Sequence, residues 1–346
     1  MLDPKTINWN ELGFSYKPTK SMYIARCKAG EEWEKGSLVP FGDISMSPAA
    51  CILNYGQGLF EGLKAYRCQD GETIQMFRPI ENAKRMAMGC ERLCMPRLPE
   101  EIFMDGVTQL VRDNKDYIPP YRTDSLSQGS LYLRPLVWGT GPVLGVRPSG
   151  EYTFLVYCSP VGPYFKSGFQ AITLKVTTDY HRAAPGCTGG IKAVGNYAGG
   201  MLPAGQAKKE GFSEILYLDA KEAKYLEEVG AANFICIKGN KMLTPQLDGS
   251  ILPGITRKSI LHLAADRFGF QVEERKVSLE EALEADEAFA AGTAAVISPI
   301  GAIHYNDKNY SINDGKVGEK TKALYDALTR IQHGIDPDPY GWIQKI

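Results

Sequence analysis

The glycine-rich stretch RAAPGCTGGIKAVGNYAGG, residues 182–200, contains a lysine in surroundings that do not suit an ordinary surface lysine. Lys192 stands between two apolar residues, with glycines on both sides of the three. Because glycine has no side chain, another chemical group can approach the backbone closely there. A lysine held in such a place loses hydration, which lowers its pKa and makes it a nucleophilic amine for an aldehyde or ketone. A lysine that snorkels at a turn is the alternative that this segment leaves open, and Lys64 and Lys175 look much the same in the sequence.

Other segments carry residue types that suit an anion and an aromatic ring. LPGITRKS puts Ile255 and Thr256 in the first turn of a predicted helix, where free N–H groups and the helix dipole attract a phosphate. Thr293 follows a glycine at a strand turn, and its hydroxyl could bind the same phosphate. Arg78, at a strand end, could bind it through the paired N–H groups of its guanidinium. Glu228 stands among apolar residues, where a carboxylate needs a cationic partner such as a protonated ring nitrogen. Taken singly, each is more often a cap, a turn or a surface residue.

Composition narrows the class of protein. The chain has 346 residues, of which 44% are hydrophobic and 23% charged, so wholesale disorder is excluded. The 39 Lys and Arg against 40 Asp and Glu give a net charge of −1, which argues against a nucleic-acid binder. No apolar run approaches the roughly 20 residues that span a bilayer, and the start MLDPKTINWNELGF lacks a signal-peptide core. We therefore expect a cytoplasmic protein without a membrane segment.

Common catalytic and binding motifs are missing from the sequence. It has no His-Glu-x-x-His, no Cys-x-x-Cys and no calcium loop, so no metal is predicted. Its eight cysteines are too sparse for a disulfide scaffold. GQGLFEG at 56–62 and GTGPVLG at 139–145 resemble a dinucleotide fingerprint, but the third glycine is shifted away from the place where the helix must pack on the strand.

The pattern of strands and helices predicts an α+β fold of two domains. We expect a smaller N-terminal domain over 1–158, a Gly- and Pro-rich connection over 159–169 and a larger C-terminal domain over 170–346. Helices are predicted from Pro79 to about 93, over about 100–114, near 197–210, after Pro253, over 279–285 behind a Ser278/Glu281 capping pattern, and over about 318–332.

Read together and in this order, the segments resemble the branched-chain amino acid aminotransferases, pyridoxal-phosphate enzymes with the fold of D-amino acid aminotransferase and aminodeoxychorismate lyase. The resemblance covers about residues 55–299. It implies that the cofactor lies in the cleft between the domains and that the larger domain carries the lysine that binds it. It rests on NYGQGLFEGLKAYR, FRP, LYLRP, GPVLGV, RAAPGCTGGIKAVGNYA, EEVGAANF, LDGSILPGITRKSI and GTAAVISP.

The resemblance also implies roles for single residues around the cofactor. Lys192 is similar to the lysine that forms the Schiff base with pyridoxal 5′-phosphate, Tyr197 to the tyrosine that hydrogen-bonds the ring 3-oxygen, and Glu228 to the carboxylate that pairs with the ring nitrogen. The residues that resemble the phosphate cradle are Arg78, Ile255, Thr256 and Thr293.

For the substrate, the resemblance implies a pocket that a second subunit completes. Arg134 resembles the arginine that receives glutamate, and Ala294 lies where turn amides meet the α-carboxylate. Leu144 and Val146 resemble residues lent by the partner of a homodimer or higher homo-oligomer. The residues that resemble the aromatic walls are Tyr55, Phe60, Tyr132 and Tyr164.

Two departures from the family pattern are visible. Ala231 stands where some members have Thr, which removes one possible hydroxyl contact to the substrate carboxylate. Ala295 and Ser298 stand where some animal members have a Cys-x-x-Cys pair, so that thiol switch cannot exist here.

The activity implied is reversible transfer of the amino group between L-leucine, L-isoleucine or L-valine and 2-oxoglutarate, in a ping-pong scheme through pyridoxamine phosphate. The nearest alternatives are a D-amino acid aminotransferase or an aminodeoxychorismate lyase on the same cofactor site. A Schiff-base aldolase without pyridoxal phosphate and a small-molecule binding protein are more distant, because neither explains Glu228 and the phosphate-binding segments. The preferred branched-chain substrate and the biosynthetic or catabolic direction stay open.

Overall fold

The computed structural model describes residues 3–123, 128–162 and 169–346. Packing divides the chain into two compact units. The first contains Met1–Lys166, Ile191–Gly195 and Ile331–Ile346, and the second contains Ser167–Gly190 and Asn196–Arg330.

The segment around Lys192 therefore belongs to the first unit, whereas the sequence pattern predicts it in the domain 170–346. The physical reason is that residues 191–195 pair with a strand of the first unit and bury two apolar side chains in its core. The boundaries at 158 and 170 remain predictions.

Strands are numbered in chain order. They are β1 (Ser21–Lys28), β2 (Ser37–Pro40), β3 (Gly58–Phe60), β4 (Leu63–Arg67), β5 (Ile74–Phe77), β6 (Ser130–Gly139), β7 (Glu151–Val161), β8 (Ile172–Thr177), β9 (Glu214–Leu218), β10 (Leu226–Val229), β11 (Ala232–Lys238), β12 (Lys241–Pro245), β13 (Gln271–Arg275), β14 (Glu287–Gly292), β15 (Val296–Tyr305), β16 (Lys308–Ser311) and β17 (Ile343–Lys345).

Helices are numbered in the same way. They are α1 (Cys51–Tyr55), α2 (Pro79–Arg92), α3 (Glu100–Asp113), α4 (Gly195–Ala198), α5 (Met201–Lys209), α6 (Ile255–Phe268), α7 (Leu279–Leu283) and α8 (Glu319–Gln332), with single 3₁₀ turns at Pro4–Thr6, Lys115–Tyr117 and Asn313–Gly315. No helix among the described residues is both long enough and apolar enough to cross a membrane.

In the first unit, the described residues form an eight-stranded antiparallel sheet in the order β17-β5-β4-β6-β7-β1-β2, with β3 also paired to β6. Helices α2 and α3 bury their apolar sides in the same core as this sheet. Strand β7 continues to Val161. The first residues of the predicted connection 159–169 are therefore strand, and residues 163–168 lie outside the described part of the chain.

In the second unit, the described residues form a nine-stranded mixed sheet in the order β10-β9-β8-β15-β14-β11-β12-β13, with β16 paired to β15. Strand β8 runs parallel to β9 and to β15, and β12 runs parallel to β13. Parallel neighbours need long connections, and α6 lies in the connection from β12 to β13. Strand β10 pairs with both β9 and β11, and it carries Glu228, while the start of α6 carries Ile255 and Thr256.

Helix α2 shows how local sequence fixes an element. Proline occupies its first turn, as predicted, because a proline needs no hydrogen-bond acceptor there. Apolar residues at spacings of three and four from Ile80 to Leu93 predict one buried stripe on this helix, and Ala83, Met86, Ala87 and Cys90 are buried. The spacing also predicts Ile80 in this stripe, which is wrong, since its side chain is 37% exposed.

The predicted helix near 197–210 is interrupted. Helix α4 ends at Ala198, Gly199 and Gly200 follow, and α5 begins at Met201. Two consecutive glycines lower helix propensity, which is the physical reason for the break. The predicted helix at 279–285 is confirmed as α7, with the reciprocal Ser278/Glu281 capping box.

Candidate functional site

The segment that carries Lys192 is joined to β3 by an isolated antiparallel bridge between Leu59 and Ala193. The backbone N–H of Phe60 donates to the carbonyl of Lys192 at 3.1 Å, and the N–H of Val194 donates to the carbonyl of Gly58 at 3.1 Å. The two neighbours of Lys192, Ile191 and Ala193, are buried in the core of the first unit. These bonds and the buried neighbours fix the backbone of Lys192 beside β3.

Two cationic side chains of the first unit contact the aromatic ring of Phe60. The Lys192 Nζ lies 4.6 Å from the centroid of the Phe60 ring, and the Arg134 Cζ lies 4.9 Å from the same centroid. A cation within about 6 Å of a ring face is attracted by its quadrupole. The sequence predicts all three residues separately, and the fold of the first unit brings them to one aromatic ring.

Arg134 and Tyr132 form a polar edge to this group. They are two residues apart on β6 and so share one face of the strand. The Arg134 Cζ is 5.4 Å from the Tyr132 ring centroid, and its Nη2 is 3.5 Å from the Tyr132 hydroxyl. The buried Nε of Arg134 has no hydrogen-bond partner within residues 3–123, 128–162 and 169–346. An unused buried N–H next to a hydroxyl is suited to an anionic ligand.

The first unit adds an aromatic residue that sequence analysis missed. The ring of Phe14 meets that of Tyr132 edge-on, with centroids 5.1 Å apart. Its signal was weak, because an isolated phenylalanine near the start of a chain has no distinguishing pattern. Tyr164, the remaining predicted wall residue, lies outside the described residues.

Tyr55, at the end of α1, is 40% exposed, and its hydroxyl donates to the carbonyl of Leu144. The side chains of Leu144 and Val146 are 92% and 86% exposed. Two aliphatic side chains held in water on one loop are an unusual surface, because their burial against a partner is favourable.

Arg78 caps the start of α2 in an unusual way. Its backbone is left-handed, with φ of 50°, and its side chain is buried. The guanidinium lies 5.0 Å from the ring of Trp342 and 3.5 Å from a carboxylate oxygen of Glu81. Burial lowers the pKa of Arg78. Since a helix N-terminus repels cations, this arrangement favours a further anion beside the guanidinium.

Glu228, in the second unit, is the buried carboxylate of β10. Only 1% of it is exposed, and its Oε2 lies 2.6 Å from the Arg182 Nη1. Asn233, directly opposite on β11, donates from Nδ2 to Oε1 at 3.0 Å. The sequence predicts a cationic partner for Glu228 but does not point to Arg182, although this arginine opens the RAAPG motif. Arg182 compensates the carboxylate charge in the fold and holds its orientation.

The N-terminus of α6 has the features of an anion-binding site. Gly254 is the N-cap, and no side chain in the described part of the chain caps the helix. A Cβ on Gly254 would lie 1.9 Å from the Asn233 Oδ1, so only glycine fits there. The amides of Ile255 and Thr256 follow in the first turn, where the dipole attracts negative charge.

Thr293 and Ala294 lie in the turn from β14 to β15. The turn ends at Val296, whose φ of 66° is left-handed although valine is β-branched. Such strained backbone is often found at functional sites, and no pattern in the sequence predicts it. Tyr197 is half-buried in α4 of the second unit, and its role remains a prediction.

Glu227 precedes Glu228 on β10, in the stretch from Leu226 to Val229 where the register with β9 shifts. It is 3% exposed, and its Oε2 has no hydrogen-bond partner among the described residues. Burial raises the pKa of Glu227 from 4.5 to about 7, with a hydrogen bond from Ser250 opposing the shift.

We expect the free energy of unfolding to fall as pH rises through this interval. Above its ordinary pKa the unfolded chain releases the Glu227 proton, whereas the folded chain keeps it until about pH 7. Relative to Glu227→Gln, the wild type should lose up to about 3 kcal/mol between about pH 4 and pH 8. Urea unfolding of both proteins across that range measures the difference, and a difference independent of pH would contradict the assignment.

Comparison with known proteins adds to this geometry. The family model for class IV aminotransferases matches residues 58–303. Branched-chain amino acid aminotransferase 2, chloroplastic, from Humulus lupulus is 52% identical over 340 residues, which cover 98% of this chain and 82% of the relative.

Solved structures are similar as well. The branched-chain amino acid aminotransferase of Escherichia coli superposes with a TM-score of 0.79 at 27% identity, over 94% of this chain and 99% of that chain. The T.th. branched-chain amino acid aminotransferase complexed with N-(5′-phosphopyridoxyl)-L-glutamate gives a TM-score of 0.76 at 25% identity, over 95% of this chain and 99% of that chain.

Proposed function

The chain belongs to the class IV aminotransferase family, and from that membership we propose that Lys192 binds its cofactor and that Arg134 receives the acidic substrate. The protein is a branched-chain amino acid aminotransferase, and pyridoxal 5′-phosphate is its cofactor. It transfers an amino group between leucine, isoleucine or valine and 2-oxoglutarate. The observation that carries the residue assignment is that the Lys192 amine and the Arg134 guanidinium both contact the Phe60 ring, 4.6 and 4.9 Å from its centroid.

The residues fit the chemical groups of the cofactor. The uncapped first turn of α6, with Thr256, suits a phosphate, and the buried guanidinium of Arg78 adds a cation. The proposal includes the amides of Ile255 and Thr256 and the hydroxyl of Thr293 as further phosphate ligands. Tyr197 is proposed for the ring 3-oxygen.

Glu228 is proposed as the partner of the ring nitrogen. Its carboxylate is fixed by Arg182 and Asn233, so it can accept a hydrogen bond without reorganising. A nearby negative charge favours the protonated form of a ring nitrogen. When bound, pyridoxal 5′-phosphate supplies the electron sink that makes the α-proton of the amino acid acidic.

Lys192 is proposed as the residue that moves the proton. Its Nζ would remove the proton from Cα of the amino acid in one half-reaction and would deliver a proton to Cα of the incoming 2-oxo acid in the other. A positioned base of this kind contributes about 10²–10⁴-fold to the rate. The Phe60 ring, 4.6 Å from Nζ, orients this amine.

The substrate side chain meets an aromatic surface with a polar edge. Phe60 and Tyr132 offer apolar faces for leucine, isoleucine or valine. The unused Nε of Arg134 and the Tyr132 hydroxyl offer donors for the distal carboxylate of glutamate and 2-oxoglutarate. The proposal also includes Tyr55 and Tyr164 as walls, and Ala294 as a residue of the turn that meets the α-carboxylate.

We expect Arg134→Met to lower kcat/KM for 2-oxoglutarate much more than kcat/KM for L-leucine. Methionine keeps much of the apolar stem but has no donor, so kcat/KM for 2-oxoglutarate should fall about 10²-fold, as expected for a lost charged hydrogen bond of about 3 kcal/mol. The value for L-leucine should change less than about threefold, since apolar contacts remain. Arg67→Met, on β4, is the control and should change neither. Equal losses for both substrates would refute a selective role for Arg134.

A homodimer or higher homo-oligomer is also proposed. Leu144 and Val146 are almost fully exposed, as expected of side chains that a partner covers. We also propose a cytoplasmic location. The relative from Humulus lupulus, in contrast, is named chloroplastic.

The function is tested by mixing the purified protein with L-leucine and recording the absorbance spectrum. The band of the bound cofactor should change within one turnover and return on addition of 2-oxoglutarate. A change with D-alanine, and none with L-leucine, would instead identify a D-amino acid aminotransferase.

A further inference from the structure

We propose that a buried cluster in the first unit, formed by Glu61, Asn82 and Arg85, is a positioning device for the Phe60 ring and through it for Lys192 and Arg134. The inference rests on the proposed function and adds to it three residues that do not touch substrate or cofactor. We refer to them as the Glu61 clamp.

Glu61 sits at the turn between β3 and β4, immediately after Phe60. Its side chain is completely buried. Arg85 donates to it through two nitrogens, from Nε to Oε1 at 2.7 Å and from Nη2 to Oε2 at 2.7 Å. Asn82 donates from Nδ2 to Oε2 at 2.8 Å. This fork fixes both the position and the plane of the carboxylate.

The backbone on either side of Glu61 is held as well. The N–H of Glu61 donates to the carbonyl of Pro135 at 2.8 Å, and the N–H of Phe60 donates to the carbonyl of Lys192 at 3.1 Å. Phe60 is thus anchored between β6 and the lysine segment, while its neighbour is anchored to α2. The ring that both cations contact therefore has little freedom to move.

The same helix carries Arg78, the proposed phosphate ligand, at its N-cap. Asn82 and Arg85 lie on its next turns and are both buried. The Glu61 clamp therefore connects the helix that bears Arg78 to the strand that bears Phe60. Displacement of one would displace the other, because a buried, bidentate ion pair does not stretch gradually.

Stability alone does not account for this cluster. Buried ion pairs are weak stabilisers, since desolvation of the two charges offsets their attraction, and apolar replacements are often equally stable. A pair with three short hydrogen bonds does fix geometry. Its place next to Phe60 indicates what geometry it fixes.

The test is Glu61→Gln in the enzyme loaded with pyridoxal 5′-phosphate. The amide removes the negative charge and presents N–H groups to the donors of Arg85, which loosens the clamp. We expect kcat/KM for L-leucine and for 2-oxoglutarate to fall about 10–100-fold, as displacements of about 1 Å do. The pH at which the absorbance band of the bound cofactor titrates should drop by about half a unit, because the protonated lysine nitrogen loses part of its contact with the ring.

Glu287→Gln is the matched control. Glu287 is a buried carboxylate of the second unit, and its Oε2 accepts from the N–H and the hydroxyl of Thr321 at 2.8 and 2.7 Å. Its replacement should lower the unfolding temperature without moving the titration of the band. If Glu61→Gln does not fold, Asn82→Ala, which removes one of the three hydrogen bonds, provides the same readouts with smaller shifts.

A folded clamp variant with an unchanged titration and unchanged kcat/KM overturns the inference, as does an equal titration shift in Glu287→Gln. These outcomes are distinct from failure of the proposed function. In that case wild-type protein would not bind pyridoxal 5′-phosphate, or would keep both band and activity after loss of the Lys192 amine.

Discussion

Replacement of Lys192 with alanine should abolish transamination, with kcat/KM for L-leucine falling by about 10³-fold or more, because the proton-transferring amine is lost. The absorbance band of the lysine-bound cofactor should disappear at the same time. Steady-state assays with L-leucine and 2-oxoglutarate, together with a spectrum of the purified variant, measure both effects.

Two other lysines serve as comparators. Lys175 ion-pairs with Glu210 on the second unit, so Lys175→Ala should retain full activity and the band. Lys64 is the stronger rival, because burial lowers its pKa to about 8. A nucleophilic amine of depressed pKa is what Schiff-base chemistry needs. If Lys192→Ala kept the band and Lys64→Met lost it, the assignment of the nucleophile would be wrong.

Glu228→Gln is expected to lower kcat by about 10²–10³-fold, because a neutral amide no longer favours the protonated ring nitrogen. The KM for L-leucine should change little, since Glu228 is proposed to contact the cofactor and not the substrate. The variant should also be less stable by about 3–5 kcal/mol, because Arg182 keeps a buried charge without its carboxylate. Assays at saturating cofactor and urea unfolding separate the two effects.

The neighbouring carboxylate provides a close control. Glu227→Gln changes the same atoms one residue earlier on β10. It should keep kcat within about twofold, because Glu227 is not proposed to contact the cofactor, and the hydrogen bonds from Arg182 and Asn233 go to Glu228. Equal losses of kcat in the two variants would mean that β10 as a whole is sensitive, and Glu228 would lose its proposed role.

Features of the fold that depend on neighbours in sequence could be predicted. The start of α2 at Pro79 and the capping box of α7 follow from short patterns. Each pattern works through contacts within one turn or one strand, and so it survives in any fold that contains it.

Features that depend on residues far apart in the chain could not be predicted from the sequence. Nothing near Lys192 indicates that its segment pairs with β3 of the first unit. Nothing near Glu228 singles out Arg182 as its partner, and the Glu61 clamp joins a strand turn to the buried face of a helix. The apolar stripe of α2 was predicted, but the polar residues buried beside it were not, because periodicity reports hydrophobicity alone.

The sequence by itself determined the chemistry available to this protein: an amine among glycines, a carboxylate among apolar residues and a helix start open to phosphate. The tertiary structure decided which of these groups meet. Only strand pairing put the Lys192 amine on the Phe60 ring next to Arg134, and only the register of β10 with β11 set Asn233 opposite Glu228. Composition and local spacing act over a few residues, whereas such meetings depend on long-range pairing and on the shape of a shared core.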